Sequence, residues 1–396
     1  MIRLWPNALS KSLKSLTDKA KIHRYFISAG EPSGDLHASE LIRHIKKLDP
    51  SAEFYFLGGD LMREASESEP LIHYRDMAFM GFSEVLRNLK KIFGNLKTAK
   101  QALHNVMPDA LILVDYPSFN LKLAKEAHRL SIPVYWYISP KVWAWKEYRV
   151  RDIRKYVRRV LCILPFEVEF YRKHGVEVSY VGNPSLEEVD RKLGNCPSKE
   201  KFCNSNGILA GKPLLALVPG SRRGEIKNNL PIMTAVAARF PELTPVVAGA
   251  PGIDDAFYLS FTDWKVIKNQ TLDLMHLSDA ALVTSGTATL ECALAGTPQV
   301  VCYRANGSKL SYNIMKRILK VPFVSLPNLI AGYEVIPEML VHQCTVDGVS
   351  EELQRILPGN KGRERQLEGY HTIRDRLGEH GAAKRAAELI MNDLTD

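Results

Sequence analysis

The chain lacks the apolar segments that would place it in or across a membrane. No apolar run in its 396 residues approaches the roughly 20 residues that a membrane-spanning helix needs. The amino-terminal stretch also lacks the apolar core of a secretory signal, because Lys11, Lys14, Lys19 and Lys21 interrupt it. These absences predict a cytoplasmic protein.

Metal-binding patterns are missing as well. The six cysteines form no C-x-x-C pair and no zinc ligand set. There is no H-E-x-x-H motif, and no Asp-x-Asp pair of the kind that holds a divalent ion against a nucleotide diphosphate. Cys162, Cys292 and Cys302 lie inside apolar runs, which predicts buried, reduced thiols. We therefore expect no metal and no cofactor.

Acidic residues are outnumbered by basic ones, 44 to 53, which gives a net charge of +9. Such an excess favours nucleic acid, an anionic membrane surface or phosphorylated substrates, and charge alone does not choose among them. No aromatic-basic motif of the RRM or KH type is present, so we expect no nucleic-acid partner. The length and the 45% hydrophobic fraction are typical of a globular protein of two or three domains.

Short apolar runs alternate with helical stretches in two series along the chain. This alternation predicts βαβ units, and therefore two doubly wound, Rossmann-like α/β domains in tandem with a cleft between them. Ligands of such sheets bind beyond the carboxyl ends of the strands. The predicted strands are residues 25–29, 54–57, 110–114, 134–138, 160–163 and 178–181 in the first series, and 214–218, 244–247, 264–267, 280–283 and 299–303 in the second.

These series divide the chain into five parts. Residues 1–23 form a polar, Lys- and Ser-rich extension that we expect to be mobile. The first domain covers 24–184, a linker covers 185–212, and the second domain covers 213–370. The remaining residues, 371–396, form a C-terminal helix that we expect to pack back on the first domain.

Two turns in the second series predict a site for a nucleotide diphosphate. Residues 219–222 (PGSR) and 285–291 (SGTATLE) each stand between a predicted strand and a helix. This geometry points backbone N–H groups and the positive end of a helix at a phosphate.

Particular side chains of these turns suit the parts of a nucleotide diphosphate. Arg222, assisted by Ser221, is suited to bind phosphate oxygens and to offset charge on a leaving diphosphate. Glu291 is suited to accept hydrogen bonds from both ribose hydroxyls. The alternatives are a surface arginine at a turn and a glutamate that caps its own helix. Small residues allow the backbone to approach an anion closely at Ser285, Gly286, Thr287 and Thr289.

The first domain carries a candidate general base. Asp115 follows a buried strand, where desolvation raises the pKa of a carboxyl group toward that of a useful base. The alternative is a cap on the following helix, although Ser118 or Asn120 is also suited to that task. The loop after the first strand (GEPSGD) either contacts substrate or permits tight packing between strand and helix. Its residues are Gly30, Glu31, Ser33, Gly34 and Asp35.

A helix over residues 80–93 has an apolar stripe flanked by Lys and Arg. It is either an ordinary core-facing helix or an interfacial helix whose apolar face enters lipid. The stripe consists of Phe82, Val85, Leu86, Leu89, Ile92 and Phe93.

Taken together, these motifs resemble the lipid-A-disaccharide synthase family. The resemblance rests on residues 28–35, 80–85, 139–145, 164–167, 219–222, 285–291 and 325–332, which occur in family order. It covers nearly everything from Tyr25 onward. The sequence departs from the family where the usual Gly-His-Pro reads Gly182-Asn183-Pro184.

The resemblance implies a GT-B fold and a metal-independent, inverting glycosyltransferase. The implied donor is UDP-2,3-diacylglucosamine and the implied acceptor is 2,3-diacylglucosamine 1-phosphate, joined as the β-1,6-linked lipid A disaccharide 1-phosphate. By position, Asp115 matches the base, Arg222 and Asn328 match residues of donor handling or catalysis, and Glu291 matches the nucleotide-contacting acid. The segment of residues 80–93 matches a membrane-associating helix, here at the cytoplasmic face of the inner membrane. A homodimer with exchanged C-terminal parts is also implied.

Two other functions fit the residues less fully. A hydrolysing UDP-N-acetylglucosamine 2-epimerase is another two-domain sugar-nucleotide enzyme. A basic peripheral membrane protein without catalysis would bind vesicles but not UDP.

Overall fold

The structure is a computed structural model that describes residues 22–77, 88–144, 146–209, 211–304 and 322–395. The predicted extension, residues 1–23, lies outside this range except for its last two residues.

The first half of the chain builds a parallel sheet in the order β3-β2-β1-β4-β5-β6-β7 within the described residues. Its central strands are buried on both faces, as expected for a sheet covered by helices on both sides. Its strands are β1 Arg24–Ala29, β2 Glu53–Gly58, β3 Ile72–His73, β4 Ala110–Val114, β5 Val134–Tyr137, β6 Arg159–Cys162 and β7 Val178–Tyr180.

The second half builds another parallel sheet, described in the order β10-β9-β8-β11-β12-β13. In both sheets the strand order reverses beside the first strand of the series, which is where doubly wound folds bind ligands. Its strands are β8 Leu214–Val218, β9 Thr244–Gly249, β10 Lys265–Lys268, β11 Ala280–Val283, β12 Gln299–Tyr303 and β13 Glu338–Leu340.

Helices connect the strands of both sheets. In the first half they are α1 Pro32–Leu48, α2 Asp60–Ser66, α3 Leu89–Val106, α4 Pro117–Arg129, α5 Val150–Tyr156, α6 Pro165–Lys173, α7 Pro184–Leu193 and α8 Lys199–Asn206. In the second half they are α9 Arg223–Ala237, α10 Asp255–Leu259, α11 Thr271–Leu277, α12 Thr287–Leu294, α13 Leu326–Ala331, α14 Val346–Ile356, α15 Lys361–Leu377 and α16 Ala382–Thr395.

The predicted fold class is confirmed, and so are all eleven predicted strands. The sequence missed β3 and β13, which have two and three residues and no apolar run. The segment predicted as a linker contains most of α7 and all of α8. Asn183 begins α7 by accepting a hydrogen bond from the Ser185 amide at 2.9 Å and donating one to the Ile163 carbonyl at 3.0 Å. The predicted burial of Cys162, Cys292 and Cys302 is confirmed.

The C-terminal helix α16 packs on the first sheet. Ala386, Ala387 and Ile390 join the core that covers β1 and β4 on one face. Asp393 anchors the end of the helix, because its carboxylate accepts hydrogen bonds from Arg159 at 2.9 and 3.0 Å. The last helix therefore belongs structurally to the first half of the chain.

An apolar cluster joins the two halves. It contains Trp143 and Leu164, which follow β5 and β6, together with Leu290 of α12 and Ile330 of α13. The segments that follow the carboxyl ends of the strands in both sheets therefore meet at this junction.

Candidate active site

Asp115 stands in a strained turn directly after β4. Asp115 and Tyr116 have φ angles of 43° and 49°, and the neighbouring Ile138, after β5, has a φ of 60°. The Asp115 amide donates to the Ile138 carbonyl at 3.1 Å, so the three residues form one connected unit. Left-handed backbone at non-glycine residues costs about 1–3 kcal/mol each and gathers at functional sites.

The buried side chain of Asn120 holds this turn in place. Its amide nitrogen donates to the Asp115 carbonyl at 2.7 Å, and its oxygen accepts from the Ser28 hydroxyl at 2.7 Å. The cap position of α4 is Tyr116, which makes no side-chain capping hydrogen bond. Asn120 therefore holds the turn and does not cap the helix, while the Asp115 carboxylate interacts with the backbone amide of Tyr116.

The Asp115 carboxyl group has an environment suited to a general base. Asp115 is accessible to solvent, but the surrounding protein removes much of the bulk water. This desolvation raises the pKa of the Asp115 carboxyl group to about 6. The negative charge of Glu31 adds to the increase in pKa, while the positive charge of Lys141 opposes it. Two residues predicted to belong to the site, Asp115 and Glu31, are thus close enough to interact.

The loop after β1 has an accessible part and a buried part. A side chain at Gly30 would overlap the Tyr116 ring, so glycine is required by the close approach of the two turns. Glu31 and Ser33 have accessible surface. Gly34 is buried, where an added Cβ would lie 3.2 Å from that of Ala29.

Asp35 requires a different role from the substrate contact predicted for it. Its buried carboxylate accepts hydrogen bonds from the amides of Gly59, Leu61 and Met62 at 2.7, 3.1 and 3.2 Å. These amides start α2, so Asp35 positions the turn between β2 and α2. Its oxygens are occupied by the protein itself.

Glu167 is a site residue that sequence reasoning did not single out for a role. Its fully buried carboxylate accepts from the Ser139 hydroxyl at 2.9 Å, the Trp143 indole at 3.0 Å and the Leu164 amide at 3.2 Å. Burial outweighs these hydrogen bonds and raises its pKa to about 7. The carboxylate therefore clamps the loop that follows β5 to the start of α6.

The turn after β8 leaves its arginine accessible. Gly220 has a φ of 112° and lies against the Glu225 side chain. One Glu225 oxygen accepts from the amides of Ser221 and Arg222 at 3.0 and 3.3 Å, and the other accepts from the Arg222 guanidinium at 3.0 Å. The Arg222 side chain is still 61% exposed, so most of its donors remain open to an anion.

The turn after β11 presents its backbone more than its side chains. Thr287 is exposed at the start of α12, whose first amides have no partner within the helix. Thr289 is fully buried, and its hydroxyl donates to the Gly286 carbonyl at 2.8 Å. The Ser285 hydroxyl donates to the Val324 carbonyl at 3.5 Å. Thr289 therefore shapes the turn, and its side chain does not face a ligand.

Glu291 lies in the second turn of α12 and faces α7. Burial raises its pKa, the charge of Glu188 adds to this effect, and the charge of Lys192 opposes it. A half-buried carboxylate in this position is suited to accept hydrogen bonds from paired hydroxyl groups.

Asn328 has no free hydrogen-bonding group. Its side-chain oxygen accepts from the amides of Val335 and Ile336 at 2.7 and 3.0 Å. Its nitrogen donates to the Ile336 carbonyl at 2.9 Å and to Glu338 at 3.0 Å. Glu338 in turn accepts from the Ser325 amide and hydroxyl. Asn328 therefore fixes the segment that contacts Ser285 through Val324.

The described part of the predicted membrane helix exposes apolar side chains. Leu89 and Phe93, at the start of α3, are 39% and 55% exposed, and Ile92 is half-buried. The buried residues of α3 come later in the helix, so its first turns do not face the core. Phe82, Val85 and Leu86 lie outside the described residues.

The described residues contain no helix long and apolar enough to cross a membrane. They also contain no group of three or more His, Cys, Asp or Glu side chains that could hold a metal ion.

Comparison with solved structures defines the class of fold. UDP-GlcNAc 2-epimerase from Neisseria meningitidis, solved with UDP-GlcNAc, matches with a TM-score of 0.60 at 13% identity, over 94% of this chain and 99% of that one. The calicheamicin glycosyltransferase CalG4 matches with a TM-score of 0.56 at 14% identity, over 95% and 99%. At these identities the likeness shows the fold alone, which is the GT-B arrangement of two Rossmann-like domains.

Sequence comparison then identifies the family. The model of the lipid-A-disaccharide synthetase family matches residues 25–391. The lipid-A-disaccharide synthase of Myxococcus xanthus is 41% identical over 94% of this chain and 97% of its own length. That of Nitrosococcus oceani is 40% identical over 92% and 95%. The chain belongs to the lipid-A-disaccharide synthetase family, which confirms the resemblance and makes it a glycosyltransferase of lipid A biosynthesis.

Proposed function

We propose that the chain joins UDP-2,3-diacylglucosamine to 2,3-diacylglucosamine 1-phosphate. The products are the β-1,6-linked disaccharide 1-phosphate and UDP. The observation that carries this proposal is Asp115, a carboxylate with a raised pKa in a strained turn at the carboxyl end of β4. The fold and the family supply the setting in which this carboxylate meets a nucleotide sugar.

Asp115 acts as the general base. It takes the proton from the acceptor 6-hydroxyl while that oxygen attacks the anomeric carbon of the donor, and UDP leaves from the opposite face. This single displacement inverts the configuration at the anomeric carbon. With a pKa of about 6, Asp115 is ionised at neutral pH and still basic enough to accept a proton in the transition state.

The second domain holds the donor. Arg222 and the exposed amides at the start of α12 bind the diphosphate, and Glu291 accepts hydrogen bonds from the ribose hydroxyls. As the bond to UDP breaks, the guanidinium charge offsets the charge that develops on the leaving group. The reaction in this form requires no resident metal or cofactor.

Other site residues act by positioning. Asn328 and Thr289 shape the segments that flank the donor site, and Asp35 fixes the turn behind the acceptor loop. Gly30 allows the loop to approach Tyr116, which leaves Glu31 and Ser33 as the side chains that meet the acceptor.

The start of α3 binds the anionic surface of the inner membrane from the cytoplasmic side. Leu89 and Phe93 enter the lipid, and the exposed Lys90 and Lys97 face anionic head groups. This arrangement brings the acceptor domain to the membrane that contains the acylated substrates.

A homodimer with exchanged C-terminal parts is compatible with the packing of α16. Within one chain, α16 already covers the first sheet. An exchange would replace these contacts with the same contacts between two chains. Light scattering of the purified protein distinguishes a monomer from a dimer by mass.

One incubation tests the proposed reaction. The protein is mixed with both acylated substrates in the presence of a chelator, and products are identified by mass. A disaccharide 1-phosphate formed together with UDP is the expected result. Release of UDP without an acylated acceptor would instead favour a hydrolysing 2-epimerase, and vesicle binding without UDP binding would favour a non-catalytic membrane protein.

A further inference from the structure

Two cations near Asp115 have no part in the proposed donor site or in the proton transfer. Lys141 lies in the loop after β5, and Arg149 precedes α5. Strands β4 and β5 are neighbours in the sheet, so the loops that follow them share one edge. Lys141 is exposed and Arg149 is half-buried, and Lys141 forms no ion pair with any carboxylate in the described part of the chain.

The loop that carries Lys141 is held rigidly. Its start is linked to Asp115 by the hydrogen bond between the Asp115 amide and the Ile138 carbonyl, at 3.1 Å. Ser139 and Trp143, on either side of Lys141, both donate to the buried carboxylate of Glu167 at 2.9 and 3.0 Å. The backbone position of Lys141 relative to Asp115 is therefore fixed by the fold.

Arg149 contacts the start of α4, the helix that follows Asp115. Its guanidinium donates to the hydroxyl of Ser118, three residues after Asp115, at 3.1 Å. One turn further along α4, the ammonium of Lys122 lies 5.0 Å from the centre of the Phe93 ring. Cations therefore line the surface between the exposed apolar start of α3 and the candidate base. This order suits an amphiphile whose acyl chains lie at α3 and whose anionic group lies close to Asp115.

We infer that Lys141, assisted by Arg149, binds the phosphate group of the acceptor. This inference rests on the proposed function, which supplies an acceptor with a 1-phosphate. In the acceptor the 6-hydroxyl is attached through C6 to C5, and the phosphate is attached to C1, so the two groups lie on the two sides of the ring oxygen. A cation that binds the phosphate while Asp115 binds the hydroxyl must then lie near Asp115 but outside ion-pair contact with it. Lys141 meets this requirement, since the two charges interact without forming an ion pair.

A comparison of two acceptors tests the inference. Diacylglucosamine 1-phosphate and the same molecule without phosphate are presented in neutral detergent micelles at about pH 8.5, where Asp115 is ionised with or without the lysine. In Lys141→Ala we expect KM for the phosphorylated acceptor to rise roughly 10- to 100-fold, the effect of losing a charge-assisted hydrogen bond. The kcat/KM for the acceptor without phosphate should be unchanged, and Lys141→Arg should restore most of the selectivity.

Lys173→Ala is the matched control, because Lys173 forms an exposed ion pair with Glu169 on α6 and its loss changes the net charge equally. This variant should keep the wild-type selectivity. If Lys141→Ala instead lowers activity equally on both acceptors, Lys141 acts through Asp115 or the loop, and the inference is wrong. If the wild-type protein makes no disaccharide from either acceptor, the proposed function itself fails.

Discussion

Transfer activity should fall steeply below about pH 6, because Asp115, the proposed base, must be ionised to accept a proton. Burial and the charge of Glu31 raise the pKa of Asp115 from 3.8 to about 6. At pH 5 only about one-tenth of the carboxyl groups would then be ionised, so kcat/KM should drop to about one-tenth of its plateau value. An ordinary aspartate would remain almost fully ionised at that pH. The measurement is kcat/KM for the acceptor across the acidic range, which reports the pKa of the free enzyme.

Removing the charge of Glu31 should shift the acidic limb of the pH profile, the range in which kcat/KM falls as the pH is lowered, in a defined direction. Glu31→Gln removes the negative charge that disfavours ionisation of Asp115, so the limb should move to lower pH. Glu169→Gln, on the exposed surface of α6, serves as the control and should leave the limb in place. A limb near pH 4 in the wild-type enzyme, or one that does not move in Glu31→Gln, would refute the reasoning about Asp115.

Three further predictions concern the parts of the molecule that support the site. Asn120→Ala should lower the free energy of unfolding by about 3 kcal/mol and remove most of the activity, because it leaves the Asp115 carbonyl and the Ser28 hydroxyl without a hydrogen-bond partner. Urea unfolding measures the first effect and kcat the second. Full activity in this variant would contradict the role of Asn120. Burial raises the pKa of Glu167 from 4.5 to about 7, so between these two pH values the folded state keeps a proton that the unfolded state releases. The free energy of unfolding should therefore decline by about 3 kcal/mol as the pH rises from about 4.5 to above 7. Glu167→Gln should flatten this decline in unfolding measured at about pH 5 and 8, and an unaltered decline would show that another group causes it. The double variant Leu89→Glu with Phe93→Glu should no longer bind anionic vesicles but should stay folded, since both side chains are exposed. The control Leu259→Glu, which changes an apolar residue 58% exposed on α10, should bind vesicles normally. Unfolding of the double variant would instead place the stripe in the core.

The fold could be predicted because a parallel strand that is buried on both faces consists of consecutive apolar residues, which are visible in the sequence. Strands such as β4 and β8 are therefore visible without any knowledge of their partners. The edge strand β3 and the short strand β13 have no such run, since Ile72–His73 and Glu338–Leu340 are defined only by the strands that they pair with. Pairing with a distant strand leaves no local pattern in the sequence.

The candidate site could be located from the sequence because its polar residues come in the turns and helices that follow predicted strands. Asp115 and Arg222 lie in such turns, and Glu291 lies in the helix after β11. The residues that hold the site depend on partners distant in sequence, as in the hydrogen bonds of Asn120 to Ser28, 92 residues away, and of Glu167 to Ser139, 28 residues away.

Asn328 is a residue whose motif is visible in the sequence but whose hydrogen-bond partners are not. Its place in a family motif suggests chemistry, yet its buried amide is fully engaged with residues 335–338. A sequence motif does not say whether a polar side chain faces a ligand or its own backbone.

The most direct test of the account is the turnover of Asp115→Asn, measured together with its affinity for UDP. The variant keeps the size of the side chain but cannot accept the proton, so kcat should fall roughly 100- to 10,000-fold. Its dissociation constant for UDP should match that of the wild-type enzyme, because the proposed donor site lies in the second domain. Near-normal turnover in Asp115→Asn would contradict the assignment of Asp115 as the base, and a parallel loss of UDP binding would contradict the division of donor and acceptor between the two domains.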